Sequence, residues 1–337
     1  MRCPLVPKRC EAPVNLPSPG TVEDRAAGVL LGAACGDALG VPYEFGPPLP
    51  RDRVPQMVGG GLGPYAPGEY SDDTQMAVCI AEALREHGDP LSAEALRHTA
   101  DAFLRWRNEG ATDIGNQTAW VMGRSGHAYR SPEVAEVMER AAADRFAEGV
   151  PSAGNGSLMR TGPLALAYPD DPEGLAAAAD RYSRLTHGDP LASEACVLWC
   201  EGVRHAVAHG GLAGVRAGVE LLPAGRRGAW TAWLDEAEER PPHAFGDNGF
   251  VVTALQAAWS AVVHEPDGFA PALRAAVRAG NDTDTVAAIA GALLGARWGA
   301  STIPAEYLEA VHGWPGYRAG DLAELALRVA GRHRNGR

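Results

Sequence analysis

Gly280-Asn281-Asp282-Thr283-Asp284-Thr285 runs without a break into the small-residue apolar stretch Val286 to Ala296, and the reading of this junction decides the fold. Val286, Ile289, Ala290, Leu293 and Ala296 recur at helical spacing, so a helix is predicted with the polar stretch as its leading turn. Asn, Asp and Thr are capping residues, but one of them is enough to cap. Asp284 and Thr285 are surplus, and from this stretch alone a capping loop and a ligand site are both open readings. The predicted helix carries Gly291 and Gly295, with Gly299 behind them. The first helix, predicted over about Val22 to Leu39 with Ala26, Val29, Leu30 and Ala33 on its buried stripe, has the same spacing in Gly28, Gly32 and Gly36, and Gly40 follows. Glycine in a helix costs propensity for no local return. The two helices are therefore predicted to cross backbone against backbone. If they run antiparallel, the end of the first, with Glu44 just beyond it, meets the start of the second, with Asp282 and Asp284. The alternative is that each glycine face packs independently elsewhere.

A second acidic cluster, Ser71-Asp72-Asp73-Thr74, precedes another apolar stripe, Met76, Cys79, Ile80, Ala83 and Leu84. Adjacent aspartates repel unless a cation or solvent separates them. Neither cluster contains Cys or His, so the donors are all oxygen. Such a set suits hard cations such as Mg²⁺, Mn²⁺ or Ca²⁺ and suits zinc poorly.

With Gly28 to Glu44, Asp113-Ile114-Gly115-Asn116, Gly154 to Arg160 and Thr186-His187, the two clusters form an ordered series over roughly residues 24 to 300 that resembles the ADP-ribosylglycohydrolases. The resemblance implies an all-α, many-helix domain and two Mg²⁺ ions, with Mn²⁺ as a substitute. It implies Ser71, Asp72, Asp73, Asp282, Asp284 and Thr285 as metal ligands, with turnover depending on Asp73 and Asp284. Ser71 stands where the family more often has Thr, which keeps the hydroxyl. Glu44 is the first candidate for general base or for gating the metals; without the resemblance it reads as a solvated loop glutamate. Asp113 by itself reads as a helix cap, and the resemblance moves it to the substrate pocket, for ribose binding or acid/base work. Gly154, Asn155, Gly156 and Ser157 form a glycine turn that is ordinary by itself. In the family it cradles a diphosphate, which backbone N–H groups freed by glycine can do. Arg160 is open to a structural ion pair. His187 is assigned to substrate and not to metal, and Phe250, where the family often has Tyr, keeps a ring to stack on adenine but no hydroxyl.

Composition narrows the rest. The chain has 337 residues, enough for a substantial core. Thirty basic against 42 acidic side chains give a net charge of −12, which disfavours broad-face binding to nucleic acid or anionic membranes. Met1 to Gly20 lacks the apolar core of a secretory signal, and Gly28 to Gly40 is too short and too charged to span a membrane, so cytoplasm is the expected compartment. Cys35, Cys79, Cys196 and Cys200 fall on predicted helices and read as core packing, while Cys3 and Cys10 belong to a loose end. A flexible arm is expected over 1–22, one helical domain over 23–331 and a solvated tail over 332–337. Further helices are predicted at about 74–87, 91–108, 115–123, 132–148, 173–184, 190–209, 212–221, 227–238, 247–264, 268–279, 284–299, 304–312 and 319–331, with no convincing strand. Residues 45 to 70 form a long loop, and selectivity is expected there and in 222 to 246.

The resemblance thus leads to a Mg²⁺-dependent hydrolase that cleaves ADP-ribose from a protein side chain, arginine first, with serine and O-acyl linkages open. A two-metal phosphoester or nucleotide hydrolase would use the same acidic clusters. A non-catalytic protein that binds ADP-ribose and metal is the alternative from another class.

Overall fold

The computed structural model describes residues 14–334. The expected flexible arm and solvated tail fall partly on residues 1–13 and 335–337, which lie outside the described residues, as do Cys3 and Cys10. Within the described part Val14 and Leu16 pack on the core, and the last helix runs to Arg334.

The fold is all-α. In chain order the helices are α1 (Val22–Gly40), α2 (Asp72–Glu86), α3 (Ala93–Asn108), α4 (Asn116–Ser125), α5 (Val134–Ala147), α6 (Pro172–Arg184), α7 (Pro190–His209), α8 (Ala213–Ala217), α9 (Ala224–Glu239), α10 (Val251–His264), α11 (Phe269–Val277), α12 (Thr283–Trp298), α13 (Ala305–Ala310) and α14 (Ala319–Arg334). The helix predicted over 212–221 is α8 continued by a 3-10 turn. The one expected over 304–312 stops at Ala310, because 312–318 turns into a two-residue antiparallel pair, β1 (His312–Gly313) and β2 (Tyr317–Arg318). So short a pair leaves no alternating pattern to read.

α1 starts where Thr21 accepts a hydrogen bond from the Asp24 backbone N–H (3.1 Å), with Glu23 and Asp24 in its first turn, where negative charge complements the helix dipole. By length and composition the segment Val22–Tyr43 could cross a membrane, but 89% of its most apolar window is buried inside the fold, as befits a core helix. It lies antiparallel against α12 with backbone touching backbone. A Cβ on Gly28 would strike the Gly295 carbonyl, on Gly32 the Gly291 carbonyl, on Gly36 the Ala287 carbonyl, and on Gly40 the backbone of Asp284. α1 therefore supplies a glycine at every step of the crossing, whereas α12 supplies one at only two.

Polar clamps hold both ends of this crossing. Buried Asp24 accepts from the Ser301 backbone N–H and hydroxyl, both at 2.8 Å, and at the other end the Thr283 hydroxyl donates to the Gly40 carbonyl (2.8 Å). Gly299 belongs to the first clamp rather than to the crossing: it caps α12 at positive φ, and a Cβ there would meet the Asp24 carboxylate. Helices α2, α7 and α14 pack on α1, and α7, α10 and α11 on α12. Cys35, Cys79, Cys196 and Cys200 are buried free thiols within this packing.

Candidate active site

The start of α2 is capped from α1 rather than from its own sequence. Asp37, fully buried, accepts the Ser71 backbone N–H (2.8 Å) and hydroxyl (2.7 Å) on Oδ1, and the Thr74 backbone N–H (3.0 Å) and hydroxyl (2.6 Å) on Oδ2. Four donors fill the capacity of a carboxylate, so Asp37 holds the α2 terminus in place and has no lone pair to spare for a cation. No motif in the sequence singles out Asp37 as part of the site. Its signal is an acidic side chain in the middle of an apolar, glycine-spaced helix, where a charge has no place unless it is partnered. Beside it, Ser71 Oγ also lies 3.0 Å from Asp73 Oδ2, but its one proton can serve only one of the two aspartates. Asp73 Oδ1 is buried with no partner at all.

The start of α12 comes to the same place because the antiparallel crossing puts it beside the end of α1. Phe45 N–H donates to the Asn281 carbonyl (2.6 Å) and Asn281 N–H returns to Gly46 (3.0 Å), which fixes Glu44 next to the α12 terminus. Asn248, also missed in the sequence, is the brace: its Oδ1 accepts the Asp282 backbone N–H (3.0 Å) and its Nδ2 donates to the Gly280 carbonyl (2.9 Å). Asp282 Oδ2 accepts from Asn155 Nδ2 (2.7 Å), which ties α12 to the glycine turn. One oxygen from each of Asp37, Asp73 and Asp284 lies within 4.8 Å of the others, and so do oxygens of Glu44, Asp113 and Asp284. Asp284 is common to both sets.

The electrostatics follow from this crowding. Burial first, and then the charges of Asp113, Asp282 and Asp37, push the Glu44 carboxyl up to about 8. Burial moves Asp37 up to about 6, less than it otherwise would because Thr74 and Ser71 hydrogen-bond the charged form. Burial first, and then the neighbouring carboxylates, chiefly Asp113 for Asp72, Asp37 for Asp73 and Asp73 for Asp284, drive these three well above the carboxylate range, and burial raises Asp113 and Asp282 as well. A site of this kind binds protons or a cation avidly. The orphaned Asp73 oxygen, the all-oxygen donor set and the mutual repulsion fit a hard metal ion.

Above the carboxylates opens a cleft of about 440 Å³, lined by Glu44, Asp72, Asp113, Asp282, Asp284 and Thr285 on one side and by Gly154, Asn155, Gly156 and His187 on the other. A larger cavity of about 590 Å³ lies between Pro48 and Arg278 but holds none of this chemistry. Ser71 and Asp73 are buried and are not among the residues lining the cleft. Asn155 N–H donates to Gly249 (3.1 Å) and Val251 N–H to Ala153 (2.9 Å), so the glycine turn is pinned to residues 249–251, and α10 begins only at Val251 although the pattern pointed to 247. Ser157 turns away from the cleft: its Oγ lies 2.9 Å from Ser183 Oγ in the core. Phe250 stands beside the turn, 36% exposed, and is not among the residues lining the cleft. Gln117 does line it, donating through Nε2 to the Thr186 carbonyl (2.8 Å) while its buried Oε1 has no partner, and nothing in the sequence pattern marked it.

Comparison with known proteins identifies the family. The family model described as ADP-ribosylglycohydrolase matches residues 18–337. The ADP-ribosylarginine hydrolase Tri1 of Pseudomonas putida is 32% identical, over 87% of this chain and 76% of that protein. The ADP-ribosyl-[dinitrogen reductase] glycohydrolase of Rhodospirillum rubrum is 30% identical, over 86% of this chain and 90% of its own length. A solved structure titled as an ADP-ribosylglycohydrolase-related protein complex superposes with a TM-score of 0.70 at 32% identity, covering 93% of this chain and 99% of the other. The chain belongs to the ADP-ribosylglycohydrolase family, enzymes that hydrolyse ADP-ribose linkages.

Proposed function

We propose that the chain is a Mg²⁺-dependent hydrolase that removes ADP-ribose from arginine side chains of proteins. The observation that carries this reading is the convergence of Asp73, Glu44 and Asp113 on Asp284 beside a cleft whose other wall is a glycine turn. Asp72, Asp73, Asp282 and Asp284, with the hydroxyls of Ser71 and Thr285, would hold two Mg²⁺ ions; Mn²⁺ suits the same oxygens. Bound there, the ions supply Lewis-acid stabilisation to the hydroxyls of the ribose that carries the scissile bond.

The side chains of this protein would do the rest. Glu44, held against Asp284 and Asp113, takes a proton from the attacking water. The water oxygen bonds to the anomeric carbon as the C–N bond breaks, the electron pair of that bond goes to the guanidino nitrogen, and the neutral guanidine so formed takes up the proton Glu44 has gained and leaves as guanidinium. Carboxylates around the cleft favour the positive charge that develops on the ribose in such reactions. Asp113 orients a ribose hydroxyl, and the glycines at 154 and 156 let a diphosphate approach the backbone closely. Arginine linkage is supported by the name of the Pseudomonas putida relative, an ADP-ribosylarginine hydrolase, and by the acidic cleft, which suits a guanidinium leaving group. Phe45 and Leu62, about 60% exposed at the rim, offer apolar contact to a protein carrier.

The test is release of free ADP-ribose from an arginine-ADP-ribosylated protein, with Mg²⁺ and then with EDTA, beside a serine-linked substrate. Metal-dependent release from the arginine substrate alone is expected. No release from either substrate, together with measurable ADP-ribose binding, would make the chain a binding protein.

A further inference from the structure

Arg160 is an unusual residue for the centre of a protein. It is fully buried, and among the described residues no carboxylate lies within ion-pair distance of it. Its Nη2 donates to Thr186 Oγ1 (2.7 Å) and to the Tyr182 carbonyl (3.3 Å), Nη1 reaches Met76 Sδ (3.9 Å), the guanidinium carbon lies 4.7 Å from the Phe103 ring centroid, and Nε has no partner. An apolar side chain of similar size would fill the space without the cost of burying a charge.

What the guanidinium does to its neighbour follows from hydrogen-bond counting. Thr186 Oγ1 lies 2.7 Å from His187 Nδ1 on its other side. Arginine can only donate, so the Thr186 oxygen gives it a lone pair, and the hydroxyl keeps a single proton of its own. The acceptor within reach of that proton is His187 Nδ1. The ring is therefore left with its proton on Nε2 when neutral. Gln117 and Ser183 fix the backbone behind the ring through the Thr186 carbonyl (2.8 Å) and the two N–H groups of residues 186 and 187 (3.1 and 3.0 Å). The Nε2 edge faces the glycine turn: a Cβ on Gly154 or Gly156 would sit 3.5 Å from it.

We infer that Arg160 is a positioning residue which, through the Thr186 hydroxyl, holds His187 as a neutral ring with Nε2–H aimed over the Gly154–Gly156 turn, where it donates to a phosphate oxygen of the ligand. The identity of that ligand rests on the proposed function. The neutral form is consistent with burial and the Arg160 charge, which push His187 down to about 3. The arrangement also gives the buried cation an anion to offset once a diphosphate is bound, in a chain whose net charge of −12 would otherwise repel one.

The experiment uses the full chain labelled with ¹⁵N at histidine side chains, recorded at neutral pH without ligand, followed by titration with ADP-ribose. His187 is expected as a single Nε2–H tautomer. Thr186→Val is expected to weaken ADP-ribose binding about tenfold, the worth of one hydrogen bond to a charged group, and Thr186→Ser to restore it. Arg160→Met is expected to show the same loss; should it fail to fold, the Thr186 pair decides. A wild-type spectrum with the proton on Nδ1, or a valine variant that binds ADP-ribose as tightly as wild type, overturns the relay. A wild-type chain that binds no ADP-ribose overturns the ligand reading instead, because the tautomer is read without ligand.

Discussion

Replacing Gly32 by Ala tests whether the crossing of α1 and α12 sets the architecture. A methyl at this position would overlap the Gly291 carbonyl oxygen and press on the Gly295 Cα at 3.2 Å. Every atom it meets is backbone, so no rotamer change can relieve it and the helices must part. Alanine favours the helix by about 1 kcal/mol over glycine, and forcing a methyl into a packed core costs about 1–3 kcal/mol, with the high end fitting a rigid neighbour. The net is a destabilisation of about 2 kcal/mol, a fall in Tm of about 4 °C for a domain of this size. Gly123→Ala is the matched control. That glycine lies exposed in α4 with only an Arg107 nitrogen nearby at 3.9 Å, so the propensity gain stands alone and Tm should rise by about 1–2 °C. Thermal unfolding followed by far-UV circular dichroism, with EDTA and with Mg²⁺, reads both variants. Because Gly40 abuts Asp284 at the end of the same crossing, Gly32→Ala should also shrink the rise in Tm that Mg²⁺ produces. A Gly32→Ala protein as stable as the Gly123→Ala protein would refute the close crossing.

Asp73→Ala and Asp284→Ala should each lower turnover at least about 100-fold while leaving the helical spectrum intact, and their Tm in EDTA should not fall below wild type, since each removes a buried charge that repels its neighbours; unfolding would mean the clusters are structural. For the metal-free chain the pH dependence has a definite sign. Glu44 and Asp37 hold their protons more tightly folded than unfolded, so their contribution is complete below about pH 4 and is lost as pH rises through about 6 and then about 8. Melting in EDTA should therefore show Tm falling over that window, and Mg²⁺ should flatten the slope; a Tm that rises with pH in EDTA would contradict it. Phe45→Ala with Leu62→Ala should raise KM for a modified protein several-fold and leave a small ADP-ribosylated arginine analogue unchanged, as steady-state kinetics on the two substrates would show.

The fold was legible because glycine spacing is a statement about another backbone. Gly28, Gly32 and Gly36 required a close neighbour, and the matching spacing in the second helix identified which one. The carboxylates were legible for a similar reason, being more numerous than capping needs. What escaped detection depends on pairings across long sequence separations. Asp37 is out of place in the apolar α1, but its partner, the α2 terminus, lies 34 residues away and is not named by any local pattern. Asn248 braces Asp282 across 34 residues, and no local pattern encodes that contact. Ser157 was part of a legible motif, but its hydroxyl faces the core, and a motif does not state where each of its side chains points.

The acidic cluster and the glycine crossing form one device. Buried carboxyls this close together hold their protons above the usual range, and once they ionise their repulsion acts to separate the ends of α1, α2 and α12. Side-chain packing alone would yield to such a force, because a layer of rotamers can shift by fractions of an ångström. Backbone in contact with backbone, clamped by Asp24 at one end and by the Thr283–Gly40 hydrogen bond at the other, has no such slack. Such a crossing would hold the site in one geometry whether or not a cation is bound, and the metal-free fold would bear the electrostatic cost. Cation binding would then release energy already stored in the fold rather than spend energy on building the site. It follows that Mg²⁺ should raise Tm substantially without altering the helical spectrum, whereas a site assembled by the metal would gain helix as it bound.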